Sequence, residues 1–143
     1  MLVSAILEAK GSEVATIERT ATLDTAVAEL VRHRVGALVV SPGDGTIDGI
    51  VSERDVVRQL HTHGAGVLTR PVSTIMTSTV ATCTKSDTVD AISMLMTEHR
   101  VRHVPVLDGK KLIGIVSIGD VVKTRMEELE AEQQQLQSYI TQG

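Results

Sequence analysis

Two segments carry the residue types of a phosphate-and-sugar site at matched spacing: Ser52-Glu53-Arg54-Asp55 and Ser117-Ile118-Gly119-Asp120. In each, an apolar run (Gly49-Ile50-Val51 or Gly114-Ile115-Val116) ends in serine, and an aspartate follows three residues on, where a helix starts. A helix N-terminus presents free backbone N–H groups and a positive field, which suits phosphate. A carboxylate there can accept two hydrogen bonds from a ribose 2′,3′-diol, the serine hydroxyl can donate to phosphate, and Arg54 adds a planar donor fork. The second segment has Ile118 and Gly119 in place of Glu53 and Arg54, which predicts a weaker grip on phosphate. The same spacing is that of a capping box, with Ser as N-cap and Asp at N3, so one copy alone would mark only a helix start.

Other chemistries find little support. His61-Thr62-His63 is too closely spaced for two ligands on one helix face, no Cys or carboxylate set completes it, and it reads as solvated loop. His33 and His99 fall at equivalent helix ends, where a protonated ring suits the dipole. His103 is the exception, since it falls beside the expected site. Cys83 aligns with Ile17, which reads as a small buried apolar residue, and a single cysteine cannot form an intrachain disulfide. No glycine-rich loop ending in Lys-Ser/Thr, nucleophile elbow or zinc-hydrolase motif occurs, and the chain is expected not to be an enzyme.

Composition narrows the partners. The 143 residues carry a formal charge of −4, which disfavours a phosphate-backbone binder, and one aromatic residue cannot build stacking platforms for single strands. No nucleic acid is expected. No apolar run approaches the ~20 residues of a membrane span, and Met1 to Glu8 lacks the basic start of a signal peptide. These features predict a cytoplasmic protein without membrane contact.

The elements that must position the two segments come from a duplication. At an offset of 66, Val14-Ala15-Thr16 falls on Val80-Ala81-Thr82, Thr22-Leu23-Asp24 on Thr88-Val89-Asp90, and His33-Arg34-Val35 on His99-Arg100-Val101. One residue is then lost, and Gly49 to Ser52 falls on Gly114 to Ser117. Each copy reads β-α-β-β-α. A strand (Val14 to Ile17; Val80 to Cys83) precedes a helix capped by Thr22 or Thr88. A hairpin follows, Gly36 to Val40 with Ile47 to Ser52, or Arg102 to Leu107 with Leu112 to Ser117, and then a second helix. A unit of roughly 50 residues buries little surface alone, so the copies are expected to pack sheet to sheet around a shared core. Approximate two-fold symmetry and clefts between the halves would follow.

Residues 8–62 are taken as the first repeat, 70–126 as the second and 127–143 as a C-terminal helical extension. Residues 1–10 read as a short amphipathic helix and 62–79 as a connector, both outside the repeats. The tail helix continues to about Ile140. Its positions Val122, Met126, Leu129, Gln133, Leu136 and Ile140 form an a/d seam suited to self-association or a partner helix, the alternative being a helix end that lies on its own body. The run Glu127 to Glu132 reads as its solvated face.

With Arg102-His103-Val104-Pro105-Val106 and the two Gly-Ile-Val-Ser-x-x-Asp segments, the tandem repeat resembles a CBS-domain pair over about residues 8–125. Gly36 to Val40, Ser52 to Arg58, Ser117 to Lys123 and the tail Leu136 to Ile140 are similar to the small stand-alone bacterial CBS-pair proteins. The resemblance implies an α+β fold of tandem CBS repeats, with adenine-nucleotide sites in clefts between them. Carried over, one site holds Ser52, Arg54 and Asp55, with Thr77, Thr82, Arg102 and His103 opposite. The other holds Ser117 and Asp120, with Lys10, Gly11, Thr16, Gly36 and Ala37 opposite. The ligands implied are AMP, ADP, ATP, NAD(H) or S-adenosylmethionine, bound for regulation rather than catalysis. No metal is expected. A homodimer and an unidentified target enzyme are the expected partners. The alternative is a structural dimerisation adaptor whose Ser-x-x-Asp segments serve only as caps.

Overall fold

The computed structural model describes residues 1–78 and 80–142, with Gln142 described by its backbone alone. Thr79, at the end of the expected connector, and Gly143 lie outside the described residues. The elements run α1 (Val3–Lys10), β1 (Thr16–Ile17), α2 (Leu23–His33), β2 (Ala37–Val40), β3 (Gly49–Ser52) and α3 (Glu53–His63). Two 3₁₀ turns, Ala65–Thr69 and Val72–Thr74, lead to α4 (Val89–His99), β4 (His103–Asp108), β5 (Lys111–Ser117) and α5 (Ile118–Gln142). This is the tandem α+β arrangement that the duplication predicts.

Matched residues start and stop the matched helices. Thr22 and Thr88 accept the N–H of Thr25 and Ala91, while Asp24 and Asp90 sit in the positive first turn. Arg34 and Arg100 close α2 and α4 in the left-handed region, at φ 55 and 54. β1, β2 and β3 form a sheet in that order, β1 parallel to β2 and β3 antiparallel. β4 and β5 pair antiparallel, Val104 against Val116 and Pro105 against Ile115.

Four features depart from the sequence reading. First, the leading strands are shorter than expected. In the second repeat, Val80 to Cys83 is reduced to one bridge between Cys83 and Val106. Pro105 stands where Val39 stands in the first repeat and has no N–H to give the carbonyl of Ala81. In the first repeat, the carbonyl of Ala15 accepts from Val39; among the described residues, Ala81 has no such partner. Second, the hairpin strand expected from Ile47 begins only at Gly49. Third, His61 and His63 lie in the last turn of α3 rather than in a loop, because the helix runs on to Gly64 at φ 72.

The fourth concerns the segments placed outside the repeats. Helix α1 precedes the first repeat yet packs on the second: Val3 and Ile6 join the core of Cys83, Ile92, Val104 and Val116. The 3₁₀ segment precedes the second repeat yet packs on the first: Val67, Val72 and Ile75 join Leu23, Leu38 and Val51. Their backbone bonds are paired across the duplication. Val3 N–H donates to Asp87 O as Val72 does to Ala21 O, and Ser4 to Lys85 O as Ser73 does to Arg19 O. The duplication therefore includes these leaders, which have swapped sides.

Each repeat thus has its own apolar cluster instead of one shared core. All four residues of β2 are buried, although only Leu38 and Val40 belong to the first cluster. Alternation turns Ala37 and Val39 to the opposite face, where Ala37 borders the space between the repeats. Pro105, in β4, is buried as well. Leu112 N–H donates to Gly45 O at 2.7 Å, tying the second hairpin to the first.

Candidate functional site

The seam between the repeats opens into a cavity of about 560 Å³, a size typical of small-molecule sites. Its first wall is the β3–α3 junction. Ser52 caps α3: its Oγ accepts Asp55 N–H at 3.3 Å, and Asp55 Oδ2 accepts both Ser52 N–H at 2.9 Å and Ser52 Oγ–H at 3.1 Å. The capping box is therefore complete. It occupies one carboxylate oxygen and leaves Asp55 Oδ1 without a hydrogen bond among the described residues. Capping and ligand binding are compatible in this side chain, because the box fixes the rotamer of the group that lines the cavity.

The second wall is apolar. Ile50, Val80 and Ala81 line the cavity with Ala37 and Val101. Gly49 lies where the Thr77 segment crosses β3, and a Cβ there would stand 2.6 Å from the Thr77 carbonyl. Thr77 and Ile50 exchange two backbone hydrogen bonds at 2.9 and 3.0 Å, which hold this wall. Arg102 and His103 close the far side at the start of β4.

His103 is half-buried against Gly36, where a Cβ would meet its ring at 3.0 Å. Burial pushes its pKa below the ordinary 6.5, Lys10 and Arg102 push the same way, and Glu53 and Asp120 oppose them. The ring is therefore neutral at pH 7, with one nitrogen free to accept and one to donate.

The cavity does not respect the two residue sets drawn from the sequence. From the first set it takes Ser52, Arg54, Asp55, Thr77, Arg102 and His103; from the second it takes Ser117, Gly36 and Ala37. Thr82, Lys10, Gly11, Thr16 and Asp120 are not part of its lining. Thr16, in β1, and Thr82, just before Cys83, are exposed, and Gly11, at φ 91, closes α1.

Asp120 repeats the capping box, its Oδ2 accepting from Ser117 N–H at 2.8 Å and Ser117 Oγ–H at 3.0 Å. The same oxygen also accepts from Lys10 Nζ at 2.8 Å, and Lys10 donates to Ile115 O at 2.9 Å. Burial pushes the Asp120 carboxyl up, but the bonds from Lys10 and Ser117 outweigh it and hold the pKa below 3.8.

Sequence reasoning missed Ile50, Val80 and Ala81 as walls, and Arg58 and Arg100 as charges. Arg58 had a signal, lying one helical turn after Arg54. Cys83 is buried as expected; burial first, and Asp87 second, push its thiol up to about 12, so it is no nucleophile at neutral pH. Among the described residues, no cluster of three metal-ligating side chains occurs. No described helix is long and apolar enough to cross a membrane.

Known proteins share this architecture. The CBS domain model matches twice, at residues 8–62 and 72–127. The crystal structure of a CBS-domain containing protein from Agrobacterium tumefaciens is 41% identical, with a TM-score of 0.85, covering 87% of this chain and 99% of that one. A CBS domain protein from Pyrobaculum aerophilum, solved in complex with AMP, is 29% identical with a TM-score of 0.74, covering 84% of this chain and 89% of that one. The mitochondrial CBS domain-containing protein CBSX3 of Arabidopsis thaliana is 40% identical over 126 residues, which are 85% of this chain and 61% of that protein. With a domain match over each repeat and a matching fold over most of its length, the chain belongs to the CBS-domain family, as a tandem CBS pair.

Proposed function

We propose that the chain is a non-catalytic regulatory module that binds an adenine nucleotide (AMP, ATP or NAD(H)) in the cavity between its repeats. The observation that carries this reading is the convergence on one cavity of a capped helix N-terminus with Ser52 and Asp55, an aliphatic slot of Ile50, Val80 and Ala81, and the opposing Arg102 and His103. The helix end and Arg54 suit phosphate, Asp55 suits a ribose diol, and backbone amides beside the slot suit the adenine edge. The AMP complex of the Pyrobaculum relative supports the ligand class.

A ligand touching both repeats would favour one angle between them, and only to the extent that it binds the two states unequally. The exposed apolar stripe of α5 suits the homodimer whose surface would read that angle, or a target enzyme. The site of Ser117 and Asp120 is the weaker of the two, because Ile118 and Gly119 replace Glu53 and Arg54 and the Lys10 ammonium already neutralises Asp120 through Oδ2. Calorimetric titration with AMP, ATP and NADH tests the reading: one of them binds, and the failure of all three sinks it.

The adaptor reading keeps one observation of its own, the complete capping box at both Ser-x-x-Asp segments. Thermal melting separates the two. A ligand at 100 times its Kd stabilises by ~2.7 kcal/mol, whereas an adaptor melts unchanged with every adenine nucleotide.

A further inference from the structure

The cavity holds more positive charge than one phosphate requires. Four of the nine arginines of the chain line it: Arg54, Arg58, Arg100 and Arg102. Among the described residues, none of the four has a carboxylate oxygen within ion-pair distance, whereas Arg32 is held by Glu29, and Arg125 by Asp90 and Glu128. Two carboxylates face them, Glu53 and Asp55, and the second has one oxygen bound to Ser52. The chain as a whole is acidic, at −4, so the excess is local.

The arginines come from both sides. Arg54 and Arg58 are one turn apart on α3, while Arg100 and Arg102 flank Val101 between α4 and β4. The first residues of α5, Ile118 and Gly119, open on the same space and add a second helix N-terminus. One guanidinium and the α3 N-terminus suffice for a monophosphate. The other three arginines face a region that a monophosphate would leave without negative charge.

Building on the proposed adenine-nucleotide site, we infer that its ligand class is a linear adenosine di- or triphosphate, and not AMP alone or the cationic S-adenosylmethionine. The α- and further phosphates run from the α3 N-terminus between the two arginine pairs, and each added phosphate gains a forked guanidinium contact.

Titration of the full chain with adenosine, AMP, ADP, ATP and S-adenosylmethionine tests this. The expected result is a gain of about tenfold or more from AMP to ATP, reduced by added salt, with S-adenosylmethionine weaker than AMP. Arg58→Gln, on an exposed helix face, and separately Arg100→Asn, a residue that tolerates φ > 0, should each erase most of that gain, and ligand-free melts show which variants are folded. Equal affinity for AMP and ATP overturns the inference but leaves the adenosine site standing. Absence of binding by every adenosine compound overturns the site and the inference together. Tripolyphosphate binding as tightly as ATP also overturns it, since the cavity would then read anions and not nucleotides.

Discussion

The Lys10 ammonium stands 2.8 Å from Asp120 Oδ2, and among the described residues no cation stands so beside Asp55. The duplicated Ser-x-x-Asp devices are therefore electrostatically unequal. Lys10 also binds the carbonyl of Ile115, whose counterpart in the first repeat, Ile50, accepts from the Thr77 backbone. A long charged side chain on one side thus does the work of a backbone amide on the other.

This pairing sets an acid limit on stability. Burial raises the Asp120 pKa, and the Lys10 and Ser117 bonds more than reverse that, so the folded value lies below 3.8. The sign follows from linkage: the contribution is complete above the unfolded value and is lost as pH falls through the lowered folded one. Lys10→Met should cost about 1 kcal/mol at pH 7, and should flatten the loss of stability below pH ~4. Denaturant melts across that range check both; an unchanged acid limb would mean that Lys10 does not hold Asp120.

Substituting the two aspartates separates capping from binding. Asp55→Ala and Asp120→Ala each remove the side-chain half of a capping box; the first should lose about 1 kcal/mol of stability, and the second, which also gives up the Lys10 pair, about 2 kcal/mol. Only Asp55 lines the cavity. Asp55→Ala should therefore also weaken nucleotide binding by about 10–150-fold, the value of roughly 1.5–3 kcal/mol of hydrogen bonds to a charged group, while Asp120→Ala changes it less than about threefold. Calorimetry on both variants reads the difference, and equal losses of affinity would contradict it.

The contrast explains what the sequence could and could not reveal. Ser52, Arg54 and Asp55 were legible because a capped helix N-terminus and a phosphate site need the same residues at the same spacing. The duplicated elements were legible because Thr22 and Thr88, and Gly49 and Gly114, keep their order. The allegiance of α1 was not: Val3 and Ile6 make a short apolar face, and only tertiary packing decides which repeat covers it. Val80 and Ala81 looked like strand residues because the ladder in the first repeat includes Ala15; the second repeat stops one step sooner, and the two residues become a cavity wall. Arg100 gave no signal, since Arg34 holds the equivalent cap and lies outside the cavity.

Two glycines should respond differently to the same added methyl group. At Gly49 a Cβ would lie 2.6 Å from the Thr77 carbonyl, a backbone atom held by its own hydrogen bond. At Gly36 it would meet the ends of Glu53 and His103, at 2.8 and 3.0 Å, and side chains can swing away. Gly49→Ala should destabilise by about 1–3 kcal/mol, and Gly36→Ala by less, with its main effect on nucleotide affinity through a displaced His103. Melting and titration of both variants check the order; Gly36→Ala as the more disruptive change would refute it.

His103 should give a second, milder pH dependence. Burial comes first among the causes that lower its pKa from 6.5. The folded protein keeps the ring neutral where the unfolded chain would be protonated. Its contribution is therefore complete above 6.5 and is lost as pH drops through the lowered folded value. An NMR titration should place the His103 midpoint below 6.5, and His103→Gln should remove that part of the acid loss. A midpoint above 6.5 would mean that Glu53 and Asp120 outweigh burial.

The tail of α5 leads to the last expectation. Val121 and Thr124 anchor its first turns in the body, but every described side chain from Leu129 to Thr141 is exposed. Leu129, Leu136 and Ile140 are 61%, 63% and 73% exposed, in line with Val122 and Met126 nearer the body. A helix segment of that length is marginal in water without a packed face, and the stripe has the spacing of a two-helix seam. If a second copy covers it, the full chain should run as a dimer by light scattering. Leu129→Asp with Leu136→Asp should then yield monomers and lower the far-UV helical signal, because the freed tail would fray. The first repeat should stay folded, since its cluster of Leu23, Leu38 and Val51 makes no use of α5. Unchanged mass and helicity in the double variant would show that the stripe is not the seam.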